Sequence, residues 1–195
     1  MDFLFGLRTK DRVILASDKS VIQSIFVLSD EAEKQWMLGD HLMLCCVGEG
    51  GDAAQFAEYI EKNIQLYKMR NGYELSPKAA STFIRRTIAE SLRSSEPYLV
   101  FLVLGGFDVK EDQPYLCSMD YLGTIFEANY IMHGYGSRFC YSILDRTYNP
   151  DWSEQEAIAA LKSCLDEVKK RFVINLPHFK VTVVDKDGAR EIPDA

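Results

Sequence analysis

The first twenty residues constrain the fold most, because they read as sheet from the outset. Phe3, Leu4, Phe5 and Leu7 make a near-continuous apolar run, Thr9-Lys10-Asp11-Arg12 is a polar turn, and Val13-Ile14-Leu15-Ala16 is a second apolar run. Two such runs around a short polar turn predict a hairpin buried on both faces, with the amino end inside the fold. Gly6 and Arg8 interrupt the first run, no basic leader precedes it and no small-residue cleavage site follows, so a secretory signal is not expected. Strands apolar on both faces need cover on both sides, and that requirement governs what the later segments must supply.

Residues 21–28 read as one further extended segment, and 34–38 and 42–47 bracket a turn at Gly39-Asp40-His41. Beyond Gly48-Glu49-Gly50-Gly51-Asp52 the period changes: Phe56, Ile60 and Ile64 recur every fourth residue, which predicts a helix stopping near Asn71-Gly72. Ser76 suits a helix cap and Pro77 the first helical position, so a second helix follows with the stripe Ala80, Ile84, Ile88 and Leu92, ended by Pro97. Residues 98–104 predict a strand running into Gly105-Gly106, 109–113 a hairpin tip, 115–119 its return, and 124–128 two short extended pieces. A helical segment over 139–146 comes after Gly134-Tyr135-Gly136-Ser137. Ser153 and Glu156 form a capping box before a helix carrying Ile158, Leu161, Leu165, Val168 and Phe172. Residues 180–184, the turn Asp187-Gly188 and 189–192 make a closing hairpin. Strands, two helices, strands, two helices, strands: this order predicts the α+β class, as a four-layer alpha-beta-beta-alpha sandwich with residues 1–195 forming one domain.

A chain of 195 residues can bury roughly 70% of its unfolded surface. With 47% hydrophobic and 26% charged residues, the composition is that of a soluble globular protein. The formal net charge of −7 argues against nucleic acid and against an acidic membrane as partners. No apolar run approaches the roughly 20 residues a membrane span requires. The five cysteines, Cys45, Cys46, Cys117, Cys140 and Cys164, lack metal-ligand spacing and lie among apolar neighbours, so they read as reduced core residues of an intracellular protein.

Gly48-Glu49-Gly50-Gly51 between a strand and a helix resembles a phosphate loop only superficially. It is not G-x-G-x-x-G, and a helix pair stands where the next strand of a nucleotide fold should be. A sharp turn lying against something else accounts for those glycines better. His133-Gly134-Tyr135-Gly136 lacks a serine nucleophile, and His41, His133 and His178 are too dispersed for a histidine metal site. No metal and no cofactor are expected. Asp18 and Lys34, both near strand ends, read on their own as an incidental surface pair.

Over nearly its whole length the chain resembles the beta-type subunits of the 20S proteasome, in the N-terminal nucleophile hydrolase superfamily, and most nearly their non-catalytic beta-4 class. The resemblance is carried by Met1-Asp2-Phe3-Leu4-Phe5-Gly6-Leu7, Gly48-Glu49-Gly50-Gly51-Asp52 with Gln55-Phe56-Ala57-Glu58-Tyr59-Ile60, residues 65–77, His133-Gly134-Tyr135-Gly136, and Val184-Asp185-Lys186-Asp187-Gly188. It implies the four-layer sandwich already reached. In active members it implies an N-terminal threonine whose hydroxyl attacks the peptide carbonyl while its own amine handles the proton. A lysine lowers the local proton affinity, an aspartate holds the lysine, and a glycine amide receives the oxyanion.

Laid on this chain without gaps, the aspartate falls on Asp18, the lysine on Lys34, the oxyanion glycine on Gly48, and the nucleophile's place on Asp2. A carboxylate is a poor, strongly hydrated nucleophile, and Met1 in front of it displaces the amine. Ser20 stands where an arginine is usual, Tyr135 replaces a serine, and Arg171-Phe172-Val173-Ile174-Asn175-Leu176-Pro177 replaces the family's Arg-Asp-x-x-Ser-Gly-Gly. The only Gly-Thr bond, Gly123-Thr124, lies mid-chain, so no propeptide is expected. With the resemblance, Asp18 and Lys34 read as a retained ion pair flooring a vestigial, non-catalytic cleft with Asp2 and Gly48.

The expected role is a structural subunit of the 20S core particle's beta ring, in cytoplasm and nucleus. Its neighbours would be beta-3 and beta-5 type subunits, alpha-ring subunits above and the opposite beta ring below. Ubiquitin-dependent protein degradation would then be carried out by other beta subunits. Tyr67, Tyr73, Tyr141, Tyr148 and Trp152 are candidate contact residues. The rival expectation is a peptidase in its own right using Asp2, Cys45 or an exposed Thr124; a nucleotide-binding protein is a third.

Overall fold

A computed structural model describes residues 2–24, 26–49, 51–174 and 176–193. The opening hairpin, β1 (Leu4–Arg8) and β2 (Arg12–Asp18), pairs antiparallel with Leu4 opposite Ser17 and Leu7 opposite Ile14. Its strands are buried on both faces: Leu4, Phe5, Leu7, Val13, Ile14 and Leu15 are all fully inaccessible to solvent. Next come β3 (Val21–Gln23) and β4 (Phe26–Ser29), then β5 (Gln35–Gly39) and β6 (Leu42–Gly48). Helices α1 (Asp52–Asn71) and α2 (Pro77–Ser91) precede β7 (Val100–Asp108), β8 (Gln113–Met119), β9 (Ile125–Glu127) and β10 (Tyr130–His133). Helices α3 (Ser137–Thr147) and α4 (Glu154–Arg171) are followed by β11 (Phe179–Asp185) and β12 (Gly188–Glu191).

Two five-stranded sheets result, in the orders β10-β1-β2-β11-β12 and β5-β6-β7-β8-β9. Strand alternation divides the core into three layers. Phe3, Phe5 and Leu7 point toward α3 and α4, where they join Leu144, Leu161 and Val168. Leu4, Val13 and Leu15 point the other way and meet Val103, Phe107 and Leu116 of the facing sheet. Leu44, Leu102 and Leu104 on that sheet's outer face pack with Phe56, Ile60, Ile84 and Ile88 of α1 and α2. This is the four-layer sandwich the sequence predicts, and each fully buried side chain of this size contributes roughly 1.5–3 kcal/mol. One polar fastening joins the sheets: the Gln35 amide donates to Ser17 Oγ at 3.2 Å and to the Lys180 carbonyl at 2.9 Å, and accepts from Thr182 Oγ1 at 2.7 Å.

Several boundaries differ from expectation. Residues 21–28 are not one strand but a ribbon turned at Ser24, whose φ is 57°, and it joins neither sheet. The strand expected there includes Ile25, which lies outside the described residues. The second helix stops at Ser91, well before Pro97, where the Ser91 hydroxyl accepts the Tyr98 N–H at 3.0 Å and turns the chain back. Strand β7 continues through Gly105 and Gly106 to Asp108 because both glycines are paired on both sides, to β6 and to β8. The two short pieces expected over 124–128 extend to His133 and belong to opposite sheets, β9 beside β8 and β10 beside β1. At α4 the capping box is present, with the Ser153 N–H donating to Glu156 Oε2 at 2.8 Å and the Glu156 N–H to Ser153 Oγ at 3.4 Å.

Candidate functional site

Two strand ends and the amino-terminal segment converge at one edge of the sandwich. Asp18, the last residue of β2, is fully buried, and its Oδ1 accepts the Phe3 N–H at 2.7 Å while the Phe3 carbonyl accepts the Asp18 N–H at 3.1 Å. That reciprocal pair fixes the entry of β1. Asp18 Oδ2 accepts the Ser20 N–H at 3.0 Å. Lys34, just before β5 and only 6% exposed, is held by its own carbonyl accepting the Cys46 N–H of β6 at 3.0 Å.

The Lys34 ammonium then places all three of its protons: on Asp2 Oδ1 at 2.7 Å, on Asp18 Oδ2 at 2.8 Å and on the Ser20 carbonyl at 2.7 Å. A buried cation with every donor used is immobile, and removing it would strand a fully buried carboxylate. Asp18, Lys34 and Asp2 are therefore in direct contact. Gly48, at the end of β6, borders the same space. The cleft has a volume of about 530 Å³ and is lined by Asp2, Lys34 and Gly48 with Val21, Trp36 and Ala53 among its apolar walls. A Cβ on Gly48 would fall 2.4 Å from the Leu99 carbonyl oxygen, so the strand end must be glycine to lie this close to the start of β7. Gly50, part of the same glycine run, is outside the described residues, as are Met1 and Asn175.

The motif around His133 proves to be a seat for the amino-terminal segment. Gly134 has φ +95°, and a Cβ there would lie 1.9 Å from the Asp2 carbonyl oxygen. The Ser137 hydroxyl donates to the Gly134 carbonyl at 2.6 Å and holds the turn. The His133 ring stacks on Phe101 with centroids 4.2 Å apart. Burial pushes its pKa below the usual histidine value, and the nearby Asp2 charge pulls partly the other way. Tyr135 is exposed, with Arg138 over its ring.

Other candidates lie elsewhere. All five cysteines are unpaired thiols in the core, and burial raises the pKa of Cys45 and Cys46 and pushes Cys117 up to about 12. Thr124 is exposed in a loop, its N–H donated to Asp120 Oδ1 at 2.9 Å. His41 Nε2 lies 3.0 Å from the Lys186 carbonyl. Among the described residues no three His, Cys, Asp or Glu side chains group as a metal site, and no helix is long and apolar enough to cross a membrane. Of the five aromatics expected at contacts, Tyr148 donates to the Arg8 carbonyl at 2.8 Å and packs with Trp152 against the α4-side core, both half-buried. Tyr67 and Tyr73, by contrast, join hydroxyl to hydroxyl at 2.9 Å near the surface.

Sequence reasoning missed three elements of this site. One is the Ser20 carbonyl, a backbone ligand that no residue type announces. A second is the contact of Gly134 with Asp2, for which the only advance signal was a glycine beside a histidine. The third is the Ser20 hydroxyl, which among the described residues is the one buried side-chain polar atom with no hydrogen-bond partner.

Comparison with known proteins gives a consistent result. A family model described as "Proteasome subunit" matches residues 4–184. The chain is 45% identical to "Proteasome subunit beta type-2" of Caenorhabditis elegans, with 100% of this chain and 98% of that protein covered. It is also 45% identical to "Proteasome subunit beta type-4" of Saccharomyces cerevisiae, with coverage of 100% and 98%. Identity to "Proteasome subunit beta type-2-B" of Arabidopsis thaliana is 40%, covering 98% and 95%.

Proposed function

Because the chain belongs to the proteasome subunit family, and within it to the beta type, we propose that it is a structural, non-catalytic member of the 20S core particle's beta ring. It supports assembly of the particle, while the peptide hydrolysis of ubiquitin-dependent degradation is performed by other beta-type chains. The observation that carries this reading is the Asp2 carboxylate, 2.7 Å from Lys34 Nζ, in the place where the family's mechanism needs a hydroxyl. A carboxylate salt-bridged to the lysine has no proton for a neighbouring amine to take. Lys34, with its three protons committed to Asp2, Asp18 and Ser20, serves as a tether for the first strand.

The neighbours we assign are beta-3 and beta-5 type chains within the ring, alpha-type chains on one side and the opposite beta ring on the other, in cytoplasm and nucleus. Residues 1–195 act as one domain. The alternative, a peptidase in its own right, finds less support. Cys45 is fully buried and its thiol is held protonated by desolvation. A cut before Thr124 would separate β1 to β8 from the rest of both sheets.

Native mass spectrometry of the purified particle tests the reading. The expected result is this chain at the same stoichiometry as the other beta-type chains. Its absence from the particle would overturn the proposal.

A further inference from the structure

Helices α3 and α4 bring two cysteines together. Cys140, on the inner face of α3, donates its S–H to the Gly136 carbonyl at 3.4 Å and to the Cys164 carbonyl of α4 at 3.6 Å. The Cys140 and Cys164 side chains also hydrogen-bond each other, which raises the Cys140 pKa and lowers that of Cys164. Both are fully buried, among Phe3, Leu144, Leu161 and Val168. The other three thiols are not arranged to pair. Cys45 and Cys46 are consecutive in β6 and face opposite ways into different layers of the core, and Cys117 lies on β8 with β7 between it and β6. Burial raises the pKa of all three, so Cys164 alone is displaced toward the thiolate, the form that reacts.

We infer that Cys140 and Cys164 form a redox pair, reduced at rest, that a small hydroperoxide oxidises to a disulfide stapling α3 to α4. A disulfide needs its sulfurs at about 2.05 Å, a short closure for two side chains already in contact. The Cys164 sulfur attacks one oxygen of hydrogen peroxide: an S–O bond forms, the O–O bond breaks, and the departing hydroxide leaves with the Cys164 proton as water. The Cys140 sulfur then attacks the Cys164 sulfenic acid: the S–S bond forms, the S–O bond breaks, and the released hydroxide takes the Cys140 proton as a second water. The two thiols together lose two electrons, which the peroxide gains. Entry is through α3, which lies outermost, with Tyr141, Ser142, Asp145 and Arg146 exposed; its 11 residues begin at Gly136 without a side-chain cap. Brief opening of so short a helix admits a molecule as small as peroxide. A Cβ on Gly136 would fall 2.8 Å from Phe3 Cδ2 and 3.3 Å from Val168 Cγ1, so α3, α4 and Phe3 pack without slack, and the staple ties down the entry of β1 along with the helices. Nothing in this chemistry depends on the chain's place in a ring.

The test exposes the intact particle to hydrogen peroxide without denaturant, blocks the remaining thiols with N-ethylmaleimide and maps peptides without reduction. The expected product is a Cys140–Cys164 linked peptide, about 2 Da lighter than the two reduced peptides together and lost on adding dithiothreitol. It should form at least about tenfold faster than any oxidation at Cys45, Cys46 or Cys117. No linked peptide, a linked peptide only in denaturant, or all five thiols oxidising at one rate overturns the proposal. Two variants assign the roles, with dimedone added on unfolding to capture sulfenic acid: Cys140→Ala should leave Cys164 labelled, and Cys164→Ala should leave Cys140 unlabelled. Any other pattern overturns the assignment. Hydrogen exchange of the wild type reads the staple itself, with α3 amides expected to exchange about tenfold more slowly after oxidation. Unchanged exchange in the linked chain overturns it.

Discussion

Lys34 and Asp2 meet at 2.7 Å, nitrogen to carboxylate oxygen, and this contact joins the amino-terminal segment to the buried end of β2. Asp18, 2.8 Å from the same nitrogen, completes a two-carboxylate clamp on one cation. Since Asp18 has no solvent exposure, its charge depends on Lys34 and on the Phe3 and Ser20 N–H groups for stabilisation.

Lys34→Met should therefore destabilise the chain by about 3–5 kcal/mol, the usual consequence of leaving a buried charge without its partner. The measurement is the yield of chain incorporated into particles and the thermal midpoint of those that form. Adding Asp18→Asn should recover part of the loss, because the stranded charge is then gone. In particles that do assemble, the peptidase activities of the other beta-type chains should be unchanged. A Lys34→Met chain with wild-type yield and midpoint would contradict the clamp.

Gly134→Ala places a methyl 1.9 Å from the Asp2 carbonyl oxygen at a backbone φ of +95°. The turn cannot yield without disturbing the Ser137 hydrogen bond, nor the amino-terminal segment without disturbing the Asp2–Lys34 and Phe3–Asp18 bonds, so a loss of about 2–4 kcal/mol is expected in denaturant titration. Gly51→Ala is the control: no atom lies within 4 Å of its Cβ position and φ is −82°. That substitution should be neutral or slightly stabilising. Equal effects at the two sites would contradict the close approach.

The histidine beside this turn predicts a pH dependence. Burial depresses the His133 pKa in the folded chain, so the unfolded chain takes up its proton first as pH falls. Stability should thus decline as pH drops through about 6.5 toward the lower folded value, and should be unaffected above it. His133→Asn, which cannot take up that proton, should flatten this limb between pH 7.5 and 5.5 in thermal melts. A variant with the same slope as wild type would show that the acid sensitivity lies elsewhere.

Much of the architecture was legible because its signals are local. The capping box at Ser153 and Glu156 and the stripe through Leu161, Leu165 and Val168 mark α4 without any tertiary information, and the double-sided apolar hairpin announces two covered faces. The ribbon was misread for a physical reason. Val21 to Leu28 has the composition of a core strand, but composition does not say whether cover comes from within the chain, and here Phe26 remains two-thirds in solvent. In the cleft, Asp2, Asp18, Lys34 and Gly48 could be named from the family pattern. The Ser20 carbonyl and the seat at Gly134 could not, because both depend on where the backbone passes rather than on which side chain it carries.

The central claim is that this chain holds a beta ring together without cutting peptides. Its most direct test is to treat the intact particle with an electrophilic peptide probe that covalently tags working proteasome centres, then weigh every chain. The account predicts label on other beta-type chains and an unmodified mass for this one. A labelled form of this polypeptide, whether at Asp2, Cys45, Thr124 or any other residue, would contradict it.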